Sequence, residues 1–115
     1  MKVAVIGSRS LHIPIPILAT YIPSQVSEIV SGGARGIDTC ARSFAETNDI
    51  KLTEFLPEYD KYGRSAPLKR NIQIIDYADE VVAIWDGKSR GTAFVIHECR
   101  KRDKKVTVFC VEPKV

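Results

Sequence analysis

Five short apolar runs, rich in β-branched residues and separated by segments of helical spacing, restrict this chain more than any other feature. They are "KVAVI" (2–6), "SEIVS" (27–31), "KLTEFL" (51–56), "EVVAIW" (80–85) and "KVTVFCV" (105–111). The first, fourth and fifth are nearly continuous in apolar residues, as in strands buried on both faces of a parallel sheet. The third alternates Leu52, Glu54 and Leu56 with Lys51, Thr53 and Phe55, which suits an edge strand. Between the runs, Ile37, Ala41, Phe44 and Ala45 predict a helix over 36–47, and Thr92, Val95, Ile96 and Cys99 predict one over 90–102. Leu68, Ile72 and Ile75 predict a third over 67–77, starting at Pro67, a position proline tolerates. The prolines of "HIPIPILATYIP" (12–23) leave room only for a short helix near 16–22.

Strands alternating with helices over short connections make βαβ units with right-handed crossovers. The expected fold class is α/β: a single Rossmann-like three-layer αβα sandwich over residues 1–115, with a five-stranded parallel sheet in the order 3-2-1-4-5. In that order the chain reverses direction beside the first strand. A crevice then opens at the C-terminal ends of strands one, two and four, where such sheets bind ligands.

Composition narrows the class further. A hydrophobic fraction of 44% in 115 residues supports a real core, and no stretch approaches a membrane span. "MKVAVIGSRS" lacks a signal-peptide pattern, so a cytoplasmic protein without membrane contact is expected. Cys40, Cys99 and Cys110 form neither a disulfide framework nor a metal set, and each is expected to be a small buried hydrophobe. His12 and His97 lie far from any paired cysteine, so no metal is expected. The net charge of +3 owes much to "RKRDKK" (100–105) at the end of a helix, which reads as a solvated terminus.

The three turns expected to meet at the crevice share an unusual composition. They are "GSRS" (7–10), "SGGARGID" (31–38) and "DGKSRGT" (86–92), each with glycine, a hydroxyl residue and an arginine. Glycine is costly to order, so such clusters mark sharp turns or a close approach to the backbone. The second and third turns run into helices, whose first N–H groups attract anions. The expected ligand site therefore comprises Gly7, Ser8, Arg9, Ser31, Gly32, Gly33, Arg35, Gly36, Lys88, Ser89, Arg90, Gly91 and Thr92, with phosphate held by the backbone of Gly32, Gly33, Gly36 and Gly91 and the side chains of Ser8, Arg9, Arg35 and Thr92. Asp38 and Asp86 are candidates for a ribose contact or a catalytic carboxylate, and Asp38 equally suits the positive end of its helix. No G-x-G-x-x-G fingerprint is present.

The stretch "YDKYGRSAPLKRN" (59–71) adds a fourth contributor. Arg70 and Asn71, on the helix side away from Leu68, Ile72 and Ile75, are expected to reach the crevice, with Lys69 beside them from the solvent side. Ser65 is expected to cap that helix. Tyr59 and Tyr62 either stack on a base or pack within their loop.

Taken together, "GSR", "SGGARGID", "KRNIQII" and "KSRGT" resemble the SLOG superfamily of Rossmann-like proteins over nearly the whole chain, and most closely its small YspA-type (DUF2493) members. That resemblance implies a nucleotide or nucleotide derivative as ligand, ADP-ribose and NAD-like molecules included, and a role as a ligand sensor. Two related families imply alternatives. The DNA-processing protein A family has a similar "SGGARGID" and "RN" pair and binds single-stranded DNA, implying backbone contacts by Arg35 and Lys69 or Arg70. This chain lacks the aromatic-interleaved basic stripe that strand binding favours. The Lonely Guy phosphoribohydrolases carry P-G-G-x-G-T-x-x-E, whose Glu assists N-glycosidic cleavage. Here Gly91–Thr92 keeps the G-T pair, but Val95 holds the acid's position and Glu98 lies nearly a turn beyond.

Binding without catalysis is thus the leading expectation, with a phosphorylated small molecule as partner and a nucleotide N-glycosidase as alternative. Self-association as a symmetric dimer is also expected. The phosphate-site reading requires that the Gly32–Gly36 stretch not be filled by the protein's own side chains.

Overall fold

The computed structural model describes residues 1–112. Its elements follow the expected order: β1 (Lys2–Gly7), α1 (Ile15–Tyr21), β2 (Glu28–Ser31), α2 (Ile37–Thr47), β3 (Lys51–Glu54), α3 (Tyr59–Tyr62), α4 (Ala66–Tyr77), β4 (Glu80–Trp85), α5 (Arg90–Lys101) and β5 (Val106–Cys110). The five strands form one parallel sheet in the order β3-β2-β1-β4-β5. This is a Rossmann-like α/β fold.

The pleat sorts apolar side chains to two faces. Val3, Val5, Ile29, Val82 and Ile84 join residues of α1 and α2 in one core cluster. Ala4, Ile6, Val30, Val81 and Ala83 join residues of α4 and α5 in the other. Each fully buried Ile or Val here contributes about 1.5–3 kcal/mol of transfer free energy. No helix among the described residues is long and apolar enough to cross a membrane.

Four local expectations need correction. β5 holds the edge place that the order 3-2-1-4-5 gives it, but its residues are half-buried or exposed rather than fully buried; Phe109 packs against one core cluster and Val106 and Val108 against the other, at the margin of both. Cys110 on that edge is exposed, while Cys40 and Cys99 are buried. Ser65 precedes α4 but makes no capping bond; its hydroxyl donates to the Tyr62 carbonyl at 2.8 Å, closing a short 3-10 turn. On α4 itself Leu68 is 44% exposed, and the inward stripe is Ala66, Arg70, Ile74 and Ile75. Arg70 therefore lies on the core side of its helix.

Polar groups organise the opposite edge of the sheet. Buried Glu28 accepts from Tyr77 at 2.6 Å and Thr53 at 2.7 Å. Burial works to raise its pKa, but these bonds and the charge of Lys51 outweigh it and hold the carboxyl below its usual range.

Candidate functional site

The turns after β1, β2 and β4 converge on one cleft of about 390 Å³ at the C-terminal edge of the sheet. Gly7, Arg9 and Ser10 line it from the first turn, and Gly32 and Ala34 from the second. Asp38 enters from the first turn of α2, and Asp86, Ser89, Gly91 and Thr92 from the start of α5. α4 closes the floor with Pro67, Arg70, Asn71 and Ile74, residues that share one helical face. The volume is that of a small-molecule site.

Two loops are locked to each other. The Asp86 carboxylate accepts from the Lys88 and Ser89 backbone N–H groups, both at 2.8 Å, and from the Ser10 hydroxyl at 3.0 Å. These bonds hold its pKa down at about 2. Its own N–H donates to the Ser8 hydroxyl at 3.1 Å, so buried Ser8 ties the first turn to the third from beneath. Asp86 thus shapes the rim; committed to three donors and so weakly basic, it is ill suited to proton transfer.

The glycine-rich turn is used differently from the expectation. A side chain at Gly32 would strike the Arg70 guanidinium at 2.5 Å, and one at Gly33 would strike Leu56 at 2.5 Å. At Gly36, φ 77°, a side chain would strike the backbone of Ser8 and Arg9 at 2.6 Å. Ser31 is buried, and its hydroxyl accepts from the Gly33 N–H at 3.4 Å. What approaches this backbone so closely is the protein itself: Arg70, Leu56 and the Ser8–Arg9 backbone fill the Gly32–Gly36 stretch, so the expected phosphate site on that turn is not formed, and Gly33 and Gly36 do not line the cleft. Gly91 is the opposite case. Its φ is negative, and open space surrounds the position a Cβ would take.

Arg70 is the group that sequence periodicity describes least well. It is 7% exposed. Its Nη1 donates to the carbonyls of Gly32 at 2.6 Å and Phe55 at 3.3 Å, and its Nε to Asn71 Oδ1 at 2.9 Å. Among the described residues Nη2 makes no hydrogen bond, and no carboxylate lies within the 4.0 Å of an ion pair. Burial lowers the pKa of this guanidinium and Arg9's like charge adds to that, against the pull of Asp38.

Asp38 is also buried, and its Oδ2 accepts from the Ala34 N–H at 3.1 Å. Burial raises its pKa despite that bond and the nearby charges of Arg70 and Arg9.

Arg35, Lys88 and Arg90 are exposed at the same end of the molecule but outside the cleft wall. Val95 lines the cleft at the position of the Lonely Guy acid, and Glu98 is turned away to bond Arg102 at 3.2 Å. Of the two loop tyrosines, Tyr62 carries Lys61 and Lys69 over its ring, whereas Tyr59 is 58% exposed with no ring partner among the described residues. Among the described residues no group of three or more His, Cys, Asp or Glu is arranged to hold a metal ion.

Compared with protein-family models, curated proteins and solved structures, the chain has no match in any of the three.

Proposed function

We propose that this protein binds a nucleotide or nucleotide derivative in the cleft, with phosphate between Arg70 and the start of α5. One observation carries the reading: a guanidinium 7% exposed, with no ion pair and no Nη2 partner among the described residues, lines a cleft that also contains open Gly91. A buried unpaired cation is costly, and an anion beside it removes that cost. The first N–H groups of a twelve-residue helix favour the same charge. An Arg–phosphate bond contributes about 1.5–3 kcal/mol and each backbone donor about 1 kcal/mol, enough together for micromolar affinity. The motif resemblance to SLOG proteins points the same way, and a ligand-sensing role fits a site built for binding.

The test is thermal-shift and calorimetric screening against nucleoside mono- and diphosphates, ADP-ribose and NAD. Saturable binding that Arg70→Gln weakens at least about tenfold supports the reading. No response across the panel overturns it.

Asp38 favours a second reading, hydrolysis of a nucleotide N-glycosidic bond. A buried carboxyl in the cleft with a raised pKa is suited to protonate the departing base while water adds to the anomeric carbon. Chromatography showing free base from a nucleoside monophosphate, lost in Asp38→Asn, supports it; intact substrate after long incubation excludes it.

A further inference from the structure

The charged groups of this molecule are unevenly paired. Lys51–Glu28 and Lys105–Glu80 bridge at the starts of strands, and Arg102 joins Asp76 and Glu98 at helix ends, all on the edge away from the cleft. Arg42–Glu54 flanks the outer side of β3. At the cleft edge, Arg9, Arg35, Arg70, Lys88 and Arg90 make no ion pair among the described residues. Facing these cations are Asp38, buried, and Asp86, bonded to its own loop. Cations without ion pairs thus outnumber the two carboxyls, Asp38 and Asp86, that line the cleft, and such an excess around a partly enclosed cleft favours an anion.

Within the cleft the cations stand at two levels. Arg70 lies on the floor, fixed by Gly32, Phe55 and Asn71. Arg9 lies at the mouth, exposed, its side chain free of hydrogen bonds and ion pairs among the described residues. The two guanidiniums act on each other as like charges. Two cations thus line one cleft, one buried and one exposed.

Resting on the nucleotide-binding reading above, we infer that the ligand carries two linked anionic groups, as in a pyrophosphate ester, the inner one on Arg70 and the outer one on Arg9. The cleft, at about 390 Å³, has room for a diphosphate with an attached sugar. Arg9, with no hydrogen bond among the described residues, has its planar fork available for a pair of phosphate oxygens, whereas Arg70 has Nη2 to offer.

The experiment is calorimetric titration of the full chain with inorganic phosphate and with pyrophosphate. Four proteins are compared: the parent, Arg9→Gln, Arg70→Gln and Arg100→Gln. Arg100 is exposed in the last turn of α5, so its variant loses the same charge away from the cleft. Pyrophosphate is expected to bind the parent at least about tenfold more tightly than phosphate. Arg9→Gln abolishes most of that preference while changing phosphate affinity less than about twofold, and Arg100→Gln preserves it. Arg9 is a surface side chain, so its variant retains the core. Equal affinities in the parent, or a preference that Arg9→Gln leaves intact or Arg100→Gln equally removes, overturn the two-anion inference while the single-phosphate site stands. Failure of both anions and of every nucleotide to bind overturns the site and the inference together.

Discussion

Arg70 Nη1 lies 2.6 Å from the Gly32 carbonyl oxygen, joining α4 to the glycine-rich turn across 38 positions of sequence. The same guanidinium holds the Phe55 carbonyl after β3 and leaves Nη2 without a partner among the described residues. One side chain therefore fixes two walls of the cleft and presents charge between them. Its loss leaves buried carbonyls unmatched, so Arg70→Gln is expected to lower stability by about 1–3 kcal/mol as well as weaken anion binding. Urea unfolding measures the first effect and calorimetry the second; an unchanged urea midpoint contradicts the tie.

Gly91→Ala separates stability from binding. Gly91 sits inside α5 with nothing within 4 Å of a prospective Cβ, so alanine is expected to stabilise the helix by about 0.5–1 kcal/mol. The added methyl occupies the space proposed for a phosphate, so affinity is expected to fall at least about tenfold. A rise in Tm with undiminished nucleotide affinity would remove Gly91 from the site.

Gly36→Ala acts through the backbone alone. At φ 77° and ψ −127°, a Cβ would meet the Ser8 and Arg9 backbone at 2.6 Å. The loss is expected to be at least about 2 kcal/mol, from torsional strain and displacement of the first turn. A variant as stable as the parent in urea refutes the close approach of these turns.

The two carboxyl groups of the cleft give pH dependences of opposite sign. Asp86, held at about 2 by the Lys88 and Ser89 N–H groups, stabilises the fold above its ordinary value of 3.8. That contribution is lost as pH falls through the window from 3.8 to about 2. Asp38 is raised from 3.8 by burial, so the folded form binds its proton more tightly than the unfolded chain. Its contribution is full below 3.8 and fades as pH rises through the raised value. Urea midpoints across pH 2–7, an interval of about five units around the ordinary Asp range, should lose the acid-side slope in Asp86→Asn and the upper slope in Asp38→Asn. Unaltered profiles contradict both assignments.

The sheet order and the meeting of three turns are legible because long apolar runs and helical spacing report burial directly. Three features are hidden for physical reasons. The run Val106–Cys110 reads as fully buried, but its edge place in the sheet leaves it half-buried or exposed, and composition does not report that. The inward stripe of α4 contains an arginine between Ala66 and Ile74, so a search for apolar periodicity settles on Leu68 instead. Glycines in "SGGARGID" mark a close approach, yet composition cannot distinguish a ligand from Leu56, Arg70 or the backbone of Arg9. The spacing of Arg70 from Ala66 and Ile74, four residues either way, was the available sign that this cation turns inward.

The central claim is that the cleft holds phosphate between Arg70 and the first turn of α5. A crystal soaked in mixed nucleotides tests it most directly. The expected result is phosphate density within hydrogen-bond reach of both the Arg70 guanidinium and the Gly91 N–H. Phosphate bound only around exposed Arg35 or Lys88, with none in the cleft, contradicts it.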